Sequence, residues 1–267
     1  MMEYLNRDFD LYINNHCNLS CKNCSVLDYN GKVTITTLKL NDVKEILSNL
    51  ETQNLKIRRL TILGGESTLH KQFKEIVEYT ITKKKHYDKL RLVTNGLNFT
   101  SDVIEICKNF DIIRISEYIN LGTIEKKLRS GLVFDILSQH SKVEFSPVTT
   151  FQIYGKESHS NPKKAKEGFI QEHDNLFTKE LNFKRCWQKD ECLALTKEGI
   201  YRCVVTMNER IEVVEWDNAI EVNNDVPLSR CSTCYWYPKQ EKWDTLNKKK
   251  DMRNFNRGIS LIEKHSL

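Results

Sequence analysis

The stretch FDLYINNHCNLSCKNC, Phe9 to Cys24, decides how this chain is read. Its first five residues, Phe9 to Ile13, are a short run rich in apolar β-formers and predict a first strand. Three cysteines follow at Cys17, Cys21 and Cys24, a C-x3-C-x2-C spacing on the loop that leaves that strand. Three thiolates on one short loop can occupy three irons of a 4Fe–4S cube and leave the fourth iron without a protein ligand. An open iron is what a metal-bound substrate or cofactor requires. Zinc is the structural alternative; it prefers four ligands in closed geometry and would need a fourth residue, such as His16.

Downstream, one unit repeats. Leu40 to Leu50 carries apolar residues at helical spacing, and Ile57 to Leu63 (IRRLTIL) reads as a second strand stopped by Gly64-Gly65. Phe73 to Ile81 is helical, with His70 expected on the surface near its start. Leu90 to Val93 is a third strand ending in the turn Thr94-Asn95-Gly96, and Ser101 is a candidate N-cap for a helix through Cys107. A fourth strand at Ile112 to Ser116, a helix at Ile124 to Leu137 and a fifth strand at Val143 to Val148 complete the series. Repeated β/α units predict a parallel sheet with helices outside and active-site loops at the C-terminal ends of the strands.

From about Tyr154 the rhythm changes, and residues 155–168 form a polar, lysine-rich loop or linker. Leu193 to Thr196 and Ile200 to Val205 flank Lys197-Glu198-Gly199, which reads as a β-hairpin with glycine in its turn. Glu209 to Trp216 adds a possible strand, and Lys242 to His265 a helical tail. Cysteines return in this last third at Cys186, Cys192, Cys203, Cys231 and Cys234, the last two as a C-x2-C chelate. Ligands from a hairpin and a C-x2-C can enclose a metal completely. A four-cysteine zinc ribbon uses much the same spacing. Cys107 lies inside a helix pattern and reads as a buried small hydrophobe.

Composition sets the class. With 39% hydrophobic and 29% charged residues, the 267-residue chain has the profile of a globular protein, long enough for one α/β barrel with a small appended module. No export signal and no apolar run of membrane-spanning length is evident, so the expected location is the cytoplasm. In a reducing compartment, nine cysteines suit metal ligation better than disulfides. The net charge of +5 is spread along the chain, with runs only at Lys83 to Lys85 and Lys248 to Lys250. That distribution fits solvated faces and excludes an obvious nucleic-acid footprint.

The cysteine loop at Cys17, Cys21 and Cys24, together with Gly64-Gly65-Glu66 after the second strand, resembles the radical S-adenosylmethionine (radical SAM) superfamily. The resemblance implies that the free iron is chelated by the amino and carboxylate groups of S-adenosylmethionine. An electron from the cluster then cleaves the S–C5′ bond, and a 5′-deoxyadenosyl radical abstracts hydrogen from an unactivated C–H bond. Gly64-Gly65-Glu66 looks like the motif that contacts the methionine amino group, where a carboxylate would complement an ammonium. Asn95 and Ser116 fall where the resemblance places contacts to the ribose and the methionine carboxylate. Asn23 departs from the family pattern, in which an aromatic residue often precedes the third cysteine.

The later cysteines resemble the Twitch module, a shortened SPASM domain that holds an auxiliary 4Fe–4S cluster. Cys186, Cys203, Cys231 and Cys234 suit that pattern, with Cys192 either free or in place of Cys186. The implied fold class is α/β, a partial (β/α)6 TIM-like barrel over residues 1–180, followed by a small cysteine-rich β-hairpin module over 181–240 and a tail over 241–267. The implied activity is dehydrogenation or epimerisation of a small polar, sugar-like substrate, with reducing power from a flavodoxin or ferredoxin. Peptide modification is the alternative within the family, and a zinc-binding regulatory or nucleic-acid module the alternative outside it.

Overall fold

The computed structural model describes residues 2–19, 36–118, 131–148, 193–203, 207 and 212–221. The chain divides into two compact units, residues 1–168 with 187–226 and residues 169–186 with 227–267. All described residues belong to the first unit. The polar loop at 155–168, the tail at 242–265 and residues 149–192, where a sixth β/α unit would fall, lie outside the described residues.

Strands β1 (Glu3–Tyr12), β2 (Leu55–Leu63), β3 (Tyr87–Thr94), β4 (Ile112–Tyr118) and β5 (Lys142–Val148) pair in parallel in the order β5-β4-β3-β2-β1. The connections contain α1 (Leu40–Thr52), α2 (Phe73–Thr82), α3 (Ser101–Cys107) and α4 (Leu132–His140). This is the repeat that the hydrophobic periodicity predicts. The helix expected over 124–137 is seen from Leu132 and continues to His140, its earlier part lying outside the described residues. Thr100, not Ser101, caps α3: its hydroxyl accepts from the Val103 N–H at 3.4 Å.

The hairpin in the cysteine-rich segment forms as β6 (Leu193–Leu195) and β7 (Gly199–Tyr201), with β8 (Val213–Glu215) beside β7. Its first strand lies parallel to β1, so the hairpin and β8 extend the parallel sheet to eight strands. Gly199 has φ +151°, and a Cβ there would stand 2.1 Å from the Val214 carbonyl oxygen. Only glycine admits that approach of β8.

The sheet has two different faces. On one, Phe9, Leu11 and Ile13 of the β1 segment join Leu60 and Ile62 of β2 in a core with Val43, Ile46, Leu47 and Leu50 of α1 and Phe73, Ile76 and Val77 of α2. Each such side chain contributes ~1.5–3 kcal/mol on burial. On the other face the alternating positions are polar: Asp8, Asp10, Thr61 and Arg91 are all buried. Arg91 donates from Nε to the Thr61 hydroxyl at 3.1 Å and lies 3.9 Å from Asp10 Oδ1, while Asp8 pairs with Arg58 and Arg59. A parallel sheet covered by helices on both sides would be apolar on both faces. Here the second face is polar at these positions, and its buried groups pair with one another and with Arg58 and Arg59. No helix among the described residues is long and apolar enough to cross a membrane.

Candidate functional site

The C-terminal ends of β1, β2 and β3 converge on one site. The chain leaving β1 runs beside the chain leaving β2: the Ile13 N–H donates to Leu63 O at 2.8 Å, Gly65 N–H to Asn14 O at 2.8 Å and Glu66 N–H to His16 O at 2.7 Å. This closeness explains the two glycines. A Cβ on Gly64 would lie 2.3 Å from Asn14 Oδ1 and 2.5 Å from Asn14 O; one on Gly65 would lie 2.3 Å from His16 O. The N–H groups of Gly65 and Glu66 are occupied by the approach to the cysteine loop. Asn14, fully buried, closes the arrangement by donating from Nδ2 to Glu66 O at 3.0 Å. Gly65→Ala is expected to force the two segments apart and destabilise the protein by ~3 kcal/mol, measurable as a lowered urea midpoint at unchanged slope.

Glu66 is 1% exposed, and its carboxylate ties the turns after β2 and β3 together. Oε1 accepts from the Thr68 N–H at 3.2 Å, the Thr68 hydroxyl at 2.8 Å and the Thr94 hydroxyl at 2.7 Å, while Oε2 accepts from the Asn95 N–H at 2.6 Å. The sequence reading gave this carboxylate an ammonium partner. In the fold both its oxygens accept hydrogen bonds from the protein, and through Oε2 it holds Asn95 and the turn after β3. That turn, Thr94-Asn95-Gly96, has Gly96 at φ +73° and the Gly96 N–H donating to the Thr94 hydroxyl at 3.1 Å.

Cys17 stands at the start of the cysteine loop, half-buried, with the Leu19 N–H 3.3 Å and Asn95 Nδ2 3.9 Å from its Sγ. Cys21 and Cys24 lie outside the described residues. Among the described residues no group of three or more metal-ligating side chains is gathered, because two of the loop's three cysteines are not among them. What is described suits a thiolate ligand: two N–H donors face the sulfur of Cys17, and donors to sulfur stabilise the charge on a cluster.

The loop is held at its exit as well. The Leu38 N–H donates to Ile13 O at 2.9 Å, which brings the two feet of the loop together. The His70 ring binds the same residue, with Nε2 2.8 Å from Leu38 O, while Nδ1 accepts from the Gln72 N–H at 2.9 Å. This assignment makes the ring a neutral Nε2–H tautomer. His70 is 8% exposed, so the sequence expectation of a surface residue is corrected: its ring packs against the backbone of Leu38. Burial lowers its pKa from the ordinary 6.5, because a charged ring would lose hydration and turn an N–H on the Gln72 N–H. A histidine held neutral contributes its full stability above pH 6.5 and loses it as pH falls from 6.5 toward the lowered native value. The thermal midpoint of the wild type is therefore expected to fall more steeply between pH 7 and pH 5 than that of His70→Ala; parallel curves would contradict this account.

The remaining sequence candidates distribute as follows. Ser116 is half-buried on β4, one residue beyond the Ile115 position that pairs with Thr94. Cys203 is described and half-buried after β7; Cys186, Cys192, Cys231 and Cys234 lie outside the described residues. Cys107 is fully buried, as expected for a packing residue, and burial raises its thiol pKa to about 12, which leaves it inert as a ligand. A cavity of about 330 Å3 opens beside the loop exit, lined by Tyr12, Thr36, Leu38, Leu195, Lys197, Tyr201 and Met207 among others. Asn14 and Thr68 escaped sequence reasoning and His70 was read only as a surface residue, since nothing in their spacing marks them.

Residues 11–125 match the family model described as the Radical SAM superfamily. The chain carries a radical SAM domain. The matched residues include the cysteine loop, Gly64-Gly65-Glu66, Asn95 and Ser116. The chain is 34% identical over 114 residues to the S-adenosylmethionine-dependent nucleotide dehydratase of Selenomonas ruminantium, a stretch covering 40% of this chain and 37% of that protein. It is 32% identical over 87 residues to the mycofactocin maturase MftC of Mycolicibacterium smegmatis, covering 33% of this chain and 20% of the maturase. The matched stretches thus span about a third and a fifth of those relatives' lengths. Among solved structures, BtrN in complex with AdoMet and 2-DOIA superposes with a TM-score of 0.54 at 14% identity over 82% of each chain. At that identity the likeness is one of fold.

Proposed function

We propose that this chain is a radical SAM enzyme that removes a hydrogen atom from a small polar, sugar-like substrate, in a dehydrogenation or an epimerisation. The observation that carries the reading is the clasp of the cysteine loop: Cys17 at the C-terminal end of β1, the Gly64-Gly65-Glu66 segment against it, and Asn95 of the next strand facing its sulfur. With S-adenosylmethionine bound, a cluster on Cys17, Cys21 and Cys24 supplies the electron that cleaves the S–C5′ bond and so generates the hydrogen-abstracting radical. The chain's own part is to hold and exclude. Glu66 fixes the turn at Asn95, His70 fixes the loop exit, and Ser116 stands one strand over, where the cofactor's ribose or carboxylate would lie.

Several features support a small polar substrate. The buried inner face of the sheet carries Asp10, Thr61 and Arg91, groups that recognise hydroxyls and charge rather than apolar surface. The cavity at the loop exit has the ~300 Å3 of a small-ligand site. The Selenomonas relative is, by name, a nucleotide dehydratase. Peptide modification is the second reading, favoured by the similarity to a maturase. The proposed architecture is a partial (β/α)6 barrel over 1–180 with a Twitch-like module over 181–240. There Cys186, or Cys192 in its place, with Cys203, Cys231 and Cys234 holds an auxiliary 4Fe–4S cluster. Flavodoxin or ferredoxin in the cytoplasm is the proposed electron source.

Metal analysis with an activity readout tests this. After anaerobic reconstitution the expected content is about eight irons per chain with little zinc, and 5′-deoxyadenosine forms from S-adenosylmethionine under reducing conditions. Zinc at both cysteine groups with no 5′-deoxyadenosine contradicts the proposal. Replacing Cys231 or Cys234 with Ala is expected to spare cleavage of S-adenosylmethionine while halving the iron.

A further inference from the structure

Asn95 is held on three sides. Its backbone N–H donates to Glu66 Oε2 at 2.6 Å, its Oδ1 accepts from the Leu97 N–H at 2.9 Å, and only 4% of it is exposed. Because Oδ1 is committed to Leu97, the orientation of the amide is fixed by chemistry: Nδ2 must face the cysteine loop. There it lies 2.8 Å from Asn18 Oδ1 and 3.9 Å from Cys17 Sγ. A flipped amide would set two carbonyl oxygens against each other at Asn18. The two hydrogens of Nδ2 have two acceptors, and one of these is the sulfur of a cluster ligand.

We propose that Asn95 is a positioning residue for the cluster that donates a hydrogen bond to the Cys17 thiolate and so raises the cluster's reduction potential. The inference rests on the radical SAM reading and goes beyond it, since the resemblance placed Asn95 against S-adenosylmethionine. The physical reason is charge. A one-electron reduction by the external donor adds a negative charge shared by iron and sulfur, and an N–H aimed at the sulfur stabilises the reduced form more than the oxidised one. Glu66 takes part indirectly: by holding the Asn95 N–H it sets the distance between donor and sulfur.

The test is a redox titration of the reconstituted holoprotein without S-adenosylmethionine, followed by electron paramagnetic resonance. The signal that S-adenosylmethionine later perturbs identifies the cluster. Asn95→Ala is expected to disfavour the reduced state about three- to tenfold, up to ~59 mV more negative for a tenfold change in a one-electron couple. Asn95→Asp, which keeps the acceptor for Leu97 and replaces the donor with an acceptor, shifts further in the same direction. Asn18→Ala leaves the donor in place and titrates at or above the wild-type potential.

Wild-type potentials in both Asn95 variants, accompanied by weaker binding of S-adenosylmethionine, would overturn the inference and return Asn95 to a cofactor contact. An Asn18→Ala shift as negative as that of Asn95→Ala would overturn it too, as distortion of the loop. If Asn95→Ala takes up no cluster, Asn95→Ser supplies the measurement, with its shorter donor giving an intermediate potential. Failure of the wild type to assemble any cluster would defeat the radical SAM reading itself, a result distinct from unchanged potentials.

Discussion

Cys17→Ala is expected to abolish formation of 5′-deoxyadenosine from S-adenosylmethionine, and Cys21→Ala and Cys24→Ala to do the same. A cube held by three thiolates has no spare ligand on the protein, so losing one opens a second iron and the cluster is lost or inactive. The effect should separate from folding. Cys17 is half-buried on a loop outside the apolar core, so its thermal midpoint should stay near that of the wild-type apoprotein. Cys107→Ala is the counter-case: the side chain is fully buried in the core, so the variant loses some stability and keeps its iron. Retained cleavage in any of the three loop variants would show that the electron enters elsewhere.

Glu66→Ala is expected to have the larger effect on stability. It removes the acceptor for four hydrogen bonds in a site from which water is excluded, leaving the N–H groups of Thr68 and Asn95 and two threonine hydroxyls to find other partners. Unsatisfied buried donors cost ~1–3 kcal/mol each, and the hydroxyls can rotate away, so a net loss of ~3–5 kcal/mol follows. In a domain of this size that is a fall of ~10 °C in thermal midpoint. Glu66→Gln keeps the shape but turns an amide NH2 toward a donor, and about half the loss is expected. A midpoint within ~1 °C of wild type in Glu66→Ala would show that the carboxylate is not the hub these distances describe.

The β/α repeat was legible because parallel strands and amphipathic helices have different hydrophobic periods, and those periods are written in the residues themselves. Leu40 to Leu50 and Ile57 to Leu63 fall inside α1 and β2 for that reason. The attachment of β6 beside β1 was not legible. Strand pairing across more than 180 residues leaves no local trace, and the hairpin's own turn signal says nothing of where it docks. The direction of side chains was equally hidden. Gly-Gly-Glu reads the same whether or not its glutamate also meets neighbouring turns, and only the positions of Thr68, Thr94 and Asn95 show that it holds them. His70 was misplaced because a polar residue between a strand and a helix is usually solvated, whereas here it meets the backbone of Leu38, 32 residues away.

In the proposed enzyme Cys17, Cys21 and Cys24 hold a 4Fe–4S cluster with one iron open to S-adenosylmethionine. The most direct measurement is electron paramagnetic resonance of the reduced, reconstituted protein before and after addition of S-adenosylmethionine. A 4Fe–4S signal that changes on addition and is lost in Cys17→Ala is expected. A protein that takes up zinc in place of iron, or a cluster signal indifferent to S-adenosylmethionine, would contradict it.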